Sequence, residues 1–261
     1  MNGKKLYLLL CVGLAVCVSN GALINDDFES YTDGSVLNGS GGWTVTYADG
    51  TQPVSGTQVV TVSSDKASPF GTGSQSMYYY DASTSTSPMW AGQSFSAVSH
   101  AVTISFDFVM TYNMFQNPVF KLSSDAGANG ILLNLQSTSY NAGGVGMMRY
   151  RDNSGAWQNV GSVTNQNWYN VKITISDFST DTYDLVLTEA GGTVVANLTG
   201  LSMYASMGNI AEVGFGISNA AQAKSTTFYV DNLTVIPEPA SVSLFVVASA
   251  SLLAMRHAIV K

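Results

Sequence analysis

The feature that most constrains this chain is a two-residue alternation of apolar and polar side chains within short runs. In residues 101–110, alternate positions place apolar side chains on one face and mostly polar ones on the other, and residues 168–175 and 181–189 repeat the pattern. Such alternation is typical of an antiparallel strand with one buried face. Clusters of Gly, Asn, Asp and Ser, such as residues 125–130, separate the runs. We therefore predict an all-β fold of about a dozen short strands in an antiparallel two-sheet sandwich or jelly roll.

The charge and cysteine content of the central region exclude several classes of protein. Residues 22–236 carry 6 basic and 16 acidic side chains, a net charge of −10. This argues against nucleic-acid binding, which needs a basic surface, and we expect it to disfavour anionic ligands. Both cysteines, Cys11 and Cys17, precede this region. A disulfide framework, a Cys-ligated zinc site and a cysteine nucleophile are therefore excluded for the central domain.

The first 21 residues have the three-part layout of a secretory signal peptide. A cationic start is followed by the apolar run of residues 6–18 and then by small residues. The apolar run has 13 residues, which is too short to span a bilayer comfortably. We expect cleavage after Gly21 or Ala22. The remaining domain, residues 22–236, has 215 residues and is large enough to fold without disulfides.

The last 25 residues combine a strand-ending segment with an apolar run. Pro237 and Pro239 lack backbone donors, so the β-domain is expected to end before them. Residues 240–255 carry no charge and are expected to form a transmembrane helix in lipid. Arg256 follows directly and would hold the terminus on the cytoplasmic side. A buried C-terminal helix of the globular domain is the alternative, although the run has no amphipathic period.

The order of Pro237, Glu238, Pro239, an apolar run and Arg256 resembles the PEP-CTERM sorting signal of exported bacterial proteins. The resemblance covers residues 237–261 and implies recognition by an exosortase-type membrane enzyme. It also implies anchoring in the membrane through the C-terminal helix and then display at the cell surface or outside the cell. Two features depart from the usual pattern, because the apolar run is shorter than the roughly 20 residues of a spanning helix and the basic end has a single arginine.

A second resemblance concerns the central domain. Residues 24–34 read Ile-Asn-Asp-Asp-Phe-Glu-Ser-Tyr-Thr-Asp-Gly, residues 41–43 read Gly-Gly-Trp, and residues 228–235 form a strand-like end. Together they are similar to the laminin-G/concanavalin-like jelly-roll domains of exported bacterial proteins. This resemblance implies the fold more than the function, because the fold serves lectins, carbohydrate-binding modules, hydrolases and adhesive modules.

Acidic residues near both ends of the domain suggest a calcium site. Jelly rolls that bind carbohydrate often hold a structural Ca²⁺ near their terminal strands, and the resemblance implies this role for Asp27, Glu29 and Asp231. Carboxylates are the hard oxygen ligands that Ca²⁺ prefers. The alternative is that these side chains are solvated strand ends and turn caps, since no contiguous calcium-loop spacing is present.

Residues that usually carry catalysis are scarce in the central domain. His100 is its only histidine, and no Gly-x-Ser-x-Gly elbow accompanies it. Glycoside hydrolysis uses two positioned carboxylates, and the three glutamates of the domain are not clustered. We therefore expect that the protein is not an enzyme. Asp107, on the polar face of a strong strand, is the carboxylate to test if that expectation fails.

Aromatic side chains offer a route to glycan binding. Trp90 follows a polar loop and Trp157 follows a turn, so both are expected at the surface, whereas Trp168 is expected in the core. Isolated exposed aromatics are common and usually carry no function. Gly214 and Gly216 alternate with apolar residues and are expected to leave one side of a strand bare for a close approach.

These observations favour an exported protein with a structural or adhesive role in the envelope or the extracellular matrix. The alternative is a carbohydrate-binding module acting on extracellular polysaccharide, and a polysaccharide-degrading enzyme is the third candidate. Coplanar exposed aromatic rings would favour the binding module, and clustered carboxylates in a concave groove would favour the enzyme. The absence of both would favour the structural role.

Overall fold

The structure is a computed structural model that describes residues 21–46, 58–81, 89–111, 117–137, 144–218 and 226–238. These residues form β-strands and one short 3-10 helix. The strands are β1 (Ile24–Asp26), β2 (Trp43–Thr46), β3 (Gln58–Ser63), β4 (Ser76–Asp81), β5 (Trp90–Val98), β6 (Val102–Met110), β7 (Asn117–Ser123), β8 (Asn129–Ser137), β9 (Val145–Arg151), β10 (Trp157–Thr164), β11 (Trp168–Ile175), β12 (Thr182–Glu189), β13 (Val194–Ser202), β14 (Ile210–Ser218) and β15 (Thr226–Pro237). The 3-10 helix (Phe178–Thr180) connects β11 to β12.

The strands form two antiparallel sheets. The first sheet has the order β13-β12-β11-β6-β15-β4-β3, with β1 also paired to β15. The second sheet has the order β10-β9-β8-β7-β14-β5-β2. The prediction of an all-β antiparallel sandwich is confirmed. Ala22–Pro237 forms one compact unit, and this unit contains both sheets and the core between them.

The inner faces of the two sheets form the hydrophobic core. The alternate positions of β6 that the sequence placed on one face are each 3 % exposed or less, and they are Val102, Ile104, Phe106, Phe108 and Met110. Across the core, the Phe106 ring lies 4.5 Å from Phe120 and 5.2 Å from Phe215, measured between ring centroids. Since Phe120 and Phe215 belong to the second sheet, these contacts join the two layers at the centre.

The terminal strands β1 and β15 are neighbours in the first sheet. In the β1–β15 pair, Ile24 lies opposite Val235. Asp26 at the end of β1 then fixes the following segment, because its Oδ2 accepts hydrogen bonds from the Tyr31 hydroxyl and from Trp43 Nε1, both at 2.8 Å. The acidic opening motif thus holds the N-terminal segment against β2.

Several predictions fall on residues outside those described. These are the signal peptide, the transmembrane helix of residues 240–255, and the sorting residues Pro239 and Arg256. Pro237 ends β15, and Glu238 follows it as an exposed residue. Within the described ranges, we find no helix with the length and apolar character needed to cross a membrane.

Candidate functional site

One outer face of the sandwich gathers most of the chemically versatile side chains. Strand register sets this arrangement, because Gly216 pairs with both Trp90 and Val119, and Asn134 pairs with both Val119 and Arg149. Directly paired residues point to the same side of a sheet. The side chains that share the outer face of the second sheet include Trp90, Lys121, Asn134, Arg149, Arg151, Trp157 and Glu212.

Trp90, Lys121 and Glu212 form a cluster at the β5–β14–β7 side of this face, which we call the Trp90 cluster. Lys121 Nζ lies 2.8 Å from Glu212 Oε1 and 4.9 Å from the centre of the Trp90 ring. The side chains of Lys121 and Glu212 are 19 % and 33 % exposed, so both remain accessible from outside. A flat ring, an ammonium group and a carboxylate thus meet on an open surface.

Two glycines of β14 make this cluster possible. A Cβ atom on Gly216 would lie 2.5 Å from Trp90 Cε3, and one on Gly214 would lie 2.7 Å from Lys121 Cε. Side chains at these positions would therefore push Trp90 and Lys121 off the sheet. The two glycines are closely approached, as expected, but by the Trp90 and Lys121 side chains of the same chain rather than by a ligand or another chain.

Arg149, Arg151 and Trp157 form a second cluster at the β9–β10 edge of the same face, which we call the Trp157 cluster. The guanidinium carbons of Arg149 and Arg151 lie 5.4 and 5.7 Å from the centre of the Trp157 ring. Arg151 also lies 4.4 Å from the centre of the Tyr204 ring. Asn134 Oδ1 accepts a hydrogen bond from Arg149 Nη2 at 2.9 Å. Cation–π contacts and this bond hold both guanidinium groups in place.

The Trp157 cluster carries positive charge that the described part of the chain does not neutralise. The ion pair found among the described residues joins Lys121 to Glu212 and involves neither arginine of the cluster. Arg149 Nε is buried and has no hydrogen-bond partner there. Burial of the guanidinium group lowers the pKa of Arg149, because desolvation disfavours the charged form.

The predicted calcium ligand Asp231 lies on the outer face of the other sheet. It is opposite Asp107 in the β15–β6 pair, and both side chains are 1 % exposed. Ser68 covers both carboxylates, with its hydroxyl donating to Asp107 Oδ2 at 2.7 Å and its N–H to Asp231 Oδ2 at 3.2 Å. Asn170 Nδ2 and Asn232 Nδ2 each donate to Asp107 at 2.7 Å.

Burial sets the protonation behaviour of this acid pair. It raises the pKa of Asp107, although the hydrogen bonds from Asn170, Ser68 and Asn232 oppose the shift. Burial, together with the nearby charges of Asp107 and Glu29, raises the pKa of Asp231 to about 7, although two backbone hydrogen bonds oppose the shift. Asp107 is therefore a covered structural carboxyl group with no opening toward a substrate.

The other two predicted calcium ligands are engaged in turns. Glu29 accepts hydrogen bonds from the Ser74 and Gln75 backbone and from the Ser74 hydroxyl. Exposed Asp27 accepts one from the backbone of Glu29 at 3.2 Å. Within the described ranges, no group of three or more His, Cys, Asp or Glu side chains is arranged to hold a metal ion. Calcium binding by Asp27, Glu29 and Asp231 stays a prediction.

The tryptophans are divided between the surface and the interior. Trp90 and Trp157 are half-buried on the outer face of the second sheet, where each contacts at least one cation. Trp43 is in the core. Trp168 is buried, as expected, and it packs with Val109 and Tyr229 in a small second cluster of buried residues.

Sequence reasoning missed the cations beside the two surface tryptophans. The signal for Arg149 and Arg151 was present, since the alternation in β9 places Gly146 and Met148 on the buried face and both arginines on the other. Lys121 also lies between two buried residues in its strand, and Glu212 precedes buried Val213. Their meeting depends on the pairing of β7 with β14, which no local pattern specifies.

Comparisons with known proteins support the fold. No protein-family model matches the chain, and no curated protein matches it. Among solved structures, the catalytic domain of a GH131 beta-glucanase from Podospora anserina is similar with a TM-score of 0.55 and 17% identity, over 83% of this chain and 96% of that chain. The catalytic domain of a glycoside hydrolase family 131 protein from Coprinopsis cinerea gives 0.55 and 14%, over 84% and 95%. A carbohydrate esterase of Shiga toxin-encoding bacteriophage phi24B gives 0.50 and 13%, over 78% and 96%. At these identities the likeness concerns the fold.

The expectation that this protein is not an enzyme is contradicted by the same comparison. That expectation relied on the scarcity of histidine and of clustered carboxylates in the sequence. The two similar glycoside hydrolase domains are catalytic domains that share this sandwich over more than four-fifths of the chain. Composition therefore does not exclude catalysis in a domain of this architecture.

Proposed function

We propose that this chain is an exported carbohydrate-active protein that holds polysaccharide across the outer face of its second sheet. The observation that carries the proposal is the presence of two half-buried tryptophans, Trp90 and Trp157, on one face with polar side chains between them. Flat rings bind sugars through their apolar faces, and amides and charged groups supply the hydrogen bonds that fix orientation.

The dimensions of this face suit an extended polymer. Trp90 is on β5 and Trp157 is on β10, and the sheet order places β14, β7, β8 and β9 between those strands. With strands about 4.8 Å apart, the two rings lie roughly 24 Å from each other across the sheet. Asn134 and Lys121 lie along this path. A chain of several sugars, rather than a single sugar, would contact both clusters.

Affinity electrophoresis of the folded unit Ala22–Pro237 in gels cast with different polysaccharides tests this proposal. At least one polysaccharide should retard the protein, and Trp90→Ala and Trp157→Ala should each reduce the retardation. Tyr80→Ala is the matched control, because Tyr80 is a half-buried strand aromatic that stacks on Tyr78 in the first sheet. Equal loss in all three variants, or no retardation by any glycan, would instead favour the structural or adhesive role.

A second activity, cleavage of the bound polysaccharide, is favoured by the Trp90 cluster. Glu212 and Lys121 are in contact on an accessible face beside an aromatic ring, and a carboxylate with an ammonium group supplies a proton acceptor and a proton donor. Hydrolysis would release reducing ends, and elimination would also create an unsaturated sugar that absorbs ultraviolet light. Glu212→Gln should abolish such turnover. Glu189→Gln, a change in the first sheet, should preserve it.

We also propose that the two terminal segments deliver the domain to its site of action. The proposal is supported by the order of the signal-like N-terminus and of Pro237, Glu238, Pro239, the apolar run and Arg256 at the other end. An exosortase-type enzyme would recognise the C-terminal segment, and the domain would then act at the cell surface or outside the cell. Mass spectrometry of the mature protein should find a start near Ala22 and loss of the tail after Ile236. A mature protein that still carries Lys261 in exosortase-bearing cells would contradict the cleavage.

A further inference from the structure

We infer that the Trp157 cluster is a subsite for an anionic group of the polysaccharide, with Arg149 and Arg151 binding a sugar carboxylate beside the Trp157 ring. The inference rests on the proposed function and names the class of its ligand, an acidic polysaccharide. It reverses the expectation drawn from net charge, that the domain would disfavour anionic glycans.

The two guanidinium groups keep hydrogen-bond donors available. Arg149 uses Nη2 on Asn134, and Arg151 uses Nε on the Gly155 carbonyl at 3.1 Å. An arginine has five N–H donors in a rigid fork, so most donors of the pair have no partner within the described ranges. Arg149 Nε is also unpaired but is buried, so the donors open to an anion are the remaining N–H groups of the two forks. An incoming anion would satisfy donors that the protein itself leaves unpaired.

The acid nearest in sequence does not neutralise the cluster. Asp152 follows Arg151 directly, but its oxygens are used within the β9–β10 turn. Asp152 Oδ1 accepts hydrogen bonds from the backbone of Ser154 and Ala156, both at 2.9 Å, and Oδ2 accepts one from Gln158 Nε2 at 2.8 Å. Asp152 makes no ion pair with either arginine. The positive charge of the cluster therefore faces outward.

Local charge, rather than net charge, decides what binds here. The central domain has six basic residues, and three of them, Lys121, Arg149 and Arg151, share the outer face of the second sheet. At physiological ionic strength, exposed charges farther apart than about 8 Å are largely screened from one another. Exposed carboxylates elsewhere on the domain, beyond that distance, thus have little influence on a glycan bound here.

The geometry favours a carboxylate among anionic groups. A guanidinium fork matches the two oxygens of a carboxylate through parallel hydrogen bonds. Arg151 contacts the aromatic rings of both Trp157 and Tyr204, so little side-chain freedom is lost on binding. A uronic acid places its carboxylate on the sugar ring, within reach of groups that contact that ring.

Affinity electrophoresis with paired glycans tests the inference on the unit Ala22–Pro237. Each acidic polysaccharide, such as polygalacturonate or alginate, is compared with its esterified, uncharged form, and a sulfated polysaccharide is included. We expect the carboxylated form of at least one pair to bind more tightly than its ester. Arg151→Gln and Arg149→Gln should each weaken that binding about tenfold or more, because each removes charge-assisted hydrogen bonds. Arg151→Lys should recover only part of the loss, since a lysine keeps the charge without the fork.

The control and the remaining outcomes separate this inference from the proposed function. Lys172→Gln removes an exposed strand cation from the first sheet and should leave binding unchanged. The melting temperature of each variant shows whether it is folded. Equal binding of acid and ester that still depends on Trp90 would overturn the anionic subsite and leave the proposed function standing. Binding of the sulfated glycan alone would overturn the carboxylate assignment. Failure of every glycan to bind would overturn the proposed function together with the subsite.

Discussion

The outer faces of the two sheets differ in whether their charged side chains are covered or accessible. On the first sheet, Asp107 and Asp231 lie side by side, each 1 % exposed, beneath Ser68. On the second sheet, Arg149 and Arg151 are partly exposed and lie against aromatic rings. Covered carboxylates that accept internal hydrogen bonds stabilise the fold. Accessible guanidinium groups with unused donors can bind a ligand. The comparison therefore separates a structural surface from a candidate binding surface on one sandwich.

The covering segment explains why the first sheet hides its acids. Ser76 Oγ donates to the Lys66 carbonyl at 2.7 Å, and Glu29 holds the backbone of Ser74 and Gln75. The segment between β3 and β4 is thus fixed at both ends, with Ser68 over the carboxylates. On the second sheet, side-chain contacts hold the Trp90 cluster, the Trp157 cluster also uses the Gly155 carbonyl, and the residues of both clusters remain partly exposed.

The largest expected effect comes from removing the covered carboxyl group of Asp107. Asp107→Ala leaves Ser68 Oγ and Asn232 Nδ2 without the acceptor that they use here, and it removes one of the acceptors of Asn170 Nδ2. We expect the free energy of unfolding to fall by about 3 kcal/mol or more. Urea denaturation followed by tryptophan fluorescence measures it. Asp65→Ala, at an exposed position of the same loop, is the control, and an equal change in both variants would contradict the structural role of Asp107.

A somewhat smaller effect is expected from a methyl group under Trp90. Gly216→Ala would place a Cβ atom 2.7 Å from the Met89 carbonyl oxygen and closer still to the Trp90 ring. Overpacking of this kind costs about 1–3 kcal/mol, and displacement of Trp90 should also weaken glycan binding. Gly208→Ala is the matched control, because nothing lies within 4 Å of its added Cβ. Unchanged melting temperature and glycan binding in Gly216→Ala would show that the Trp90 cluster is not held as described.

The acid pair should make stability depend on pH in the direction opposite to an ordinary ion pair. The pKa of Asp231 is raised from 3.8 to about 7 by burial and by nearby carboxylates, so between those values the folded state binds a proton that the unfolded state has released. Stability is therefore fully present below pH ~4 and is lost as the pH rises through ~7, by at most about 1.4 kcal/mol per pH unit for one proton.

Melting temperatures from pH 5 to 8 in the presence of a chelator measure this dependence. Asp231→Asn should flatten the profile because an amide does not titrate. Asp33→Asn, a change of an acid in an exposed turn, should leave the slope in place. A wild-type profile that rises toward pH 8 would contradict the raised pKa.

Calcium is expected to give the smallest effect. If calcium binds the folded state at Asp27, Glu29 and Asp231, a calcium concentration about tenfold above the dissociation constant stabilises the fold by about 1.4 kcal/mol. The melting temperature should then rise on adding calcium, and Asp231→Ala should abolish the rise. An unchanged midpoint with calcium or with a chelator would assign all three carboxylates to the internal hydrogen bonds that they already make.

Part of the candidate site could be read from local sequence. Trp90 and Trp157 follow turn-rich segments, which is why surface positions could be expected for them. Trp168 is buried, as expected, but it belongs to a small second cluster rather than to the main core. In the alternation of β11 it has the same parity as Asn170 and Lys172, which puts it on the outer face. It is buried only because Val109 and Tyr229 lie beside it there.

The sequence by itself determined the all-β class and the buried faces of the strands with a clear alternation, such as β6, β11 and β12. It could do so because a two-residue period is a local property, and any strand with this pattern must place its apolar side toward a core. Likewise, the absence of cysteine in residues 22–236 excludes thiol chemistry in any arrangement of those strands.

Only the tertiary structure decided which outward-facing residues meet. Asp107 lies opposite Asp231 because β6 pairs with β15, and Arg151 reaches Tyr204 because the segment after β13 bonds to Gly130 through a backbone hydrogen bond. Periodicity fixes which way a side chain points but carries no information about which strand becomes its neighbour. The burial and raised pKa of the acid pair and the unneutralised charge of the Trp157 cluster arise from those neighbours. Both features therefore exist only in the assembled sandwich.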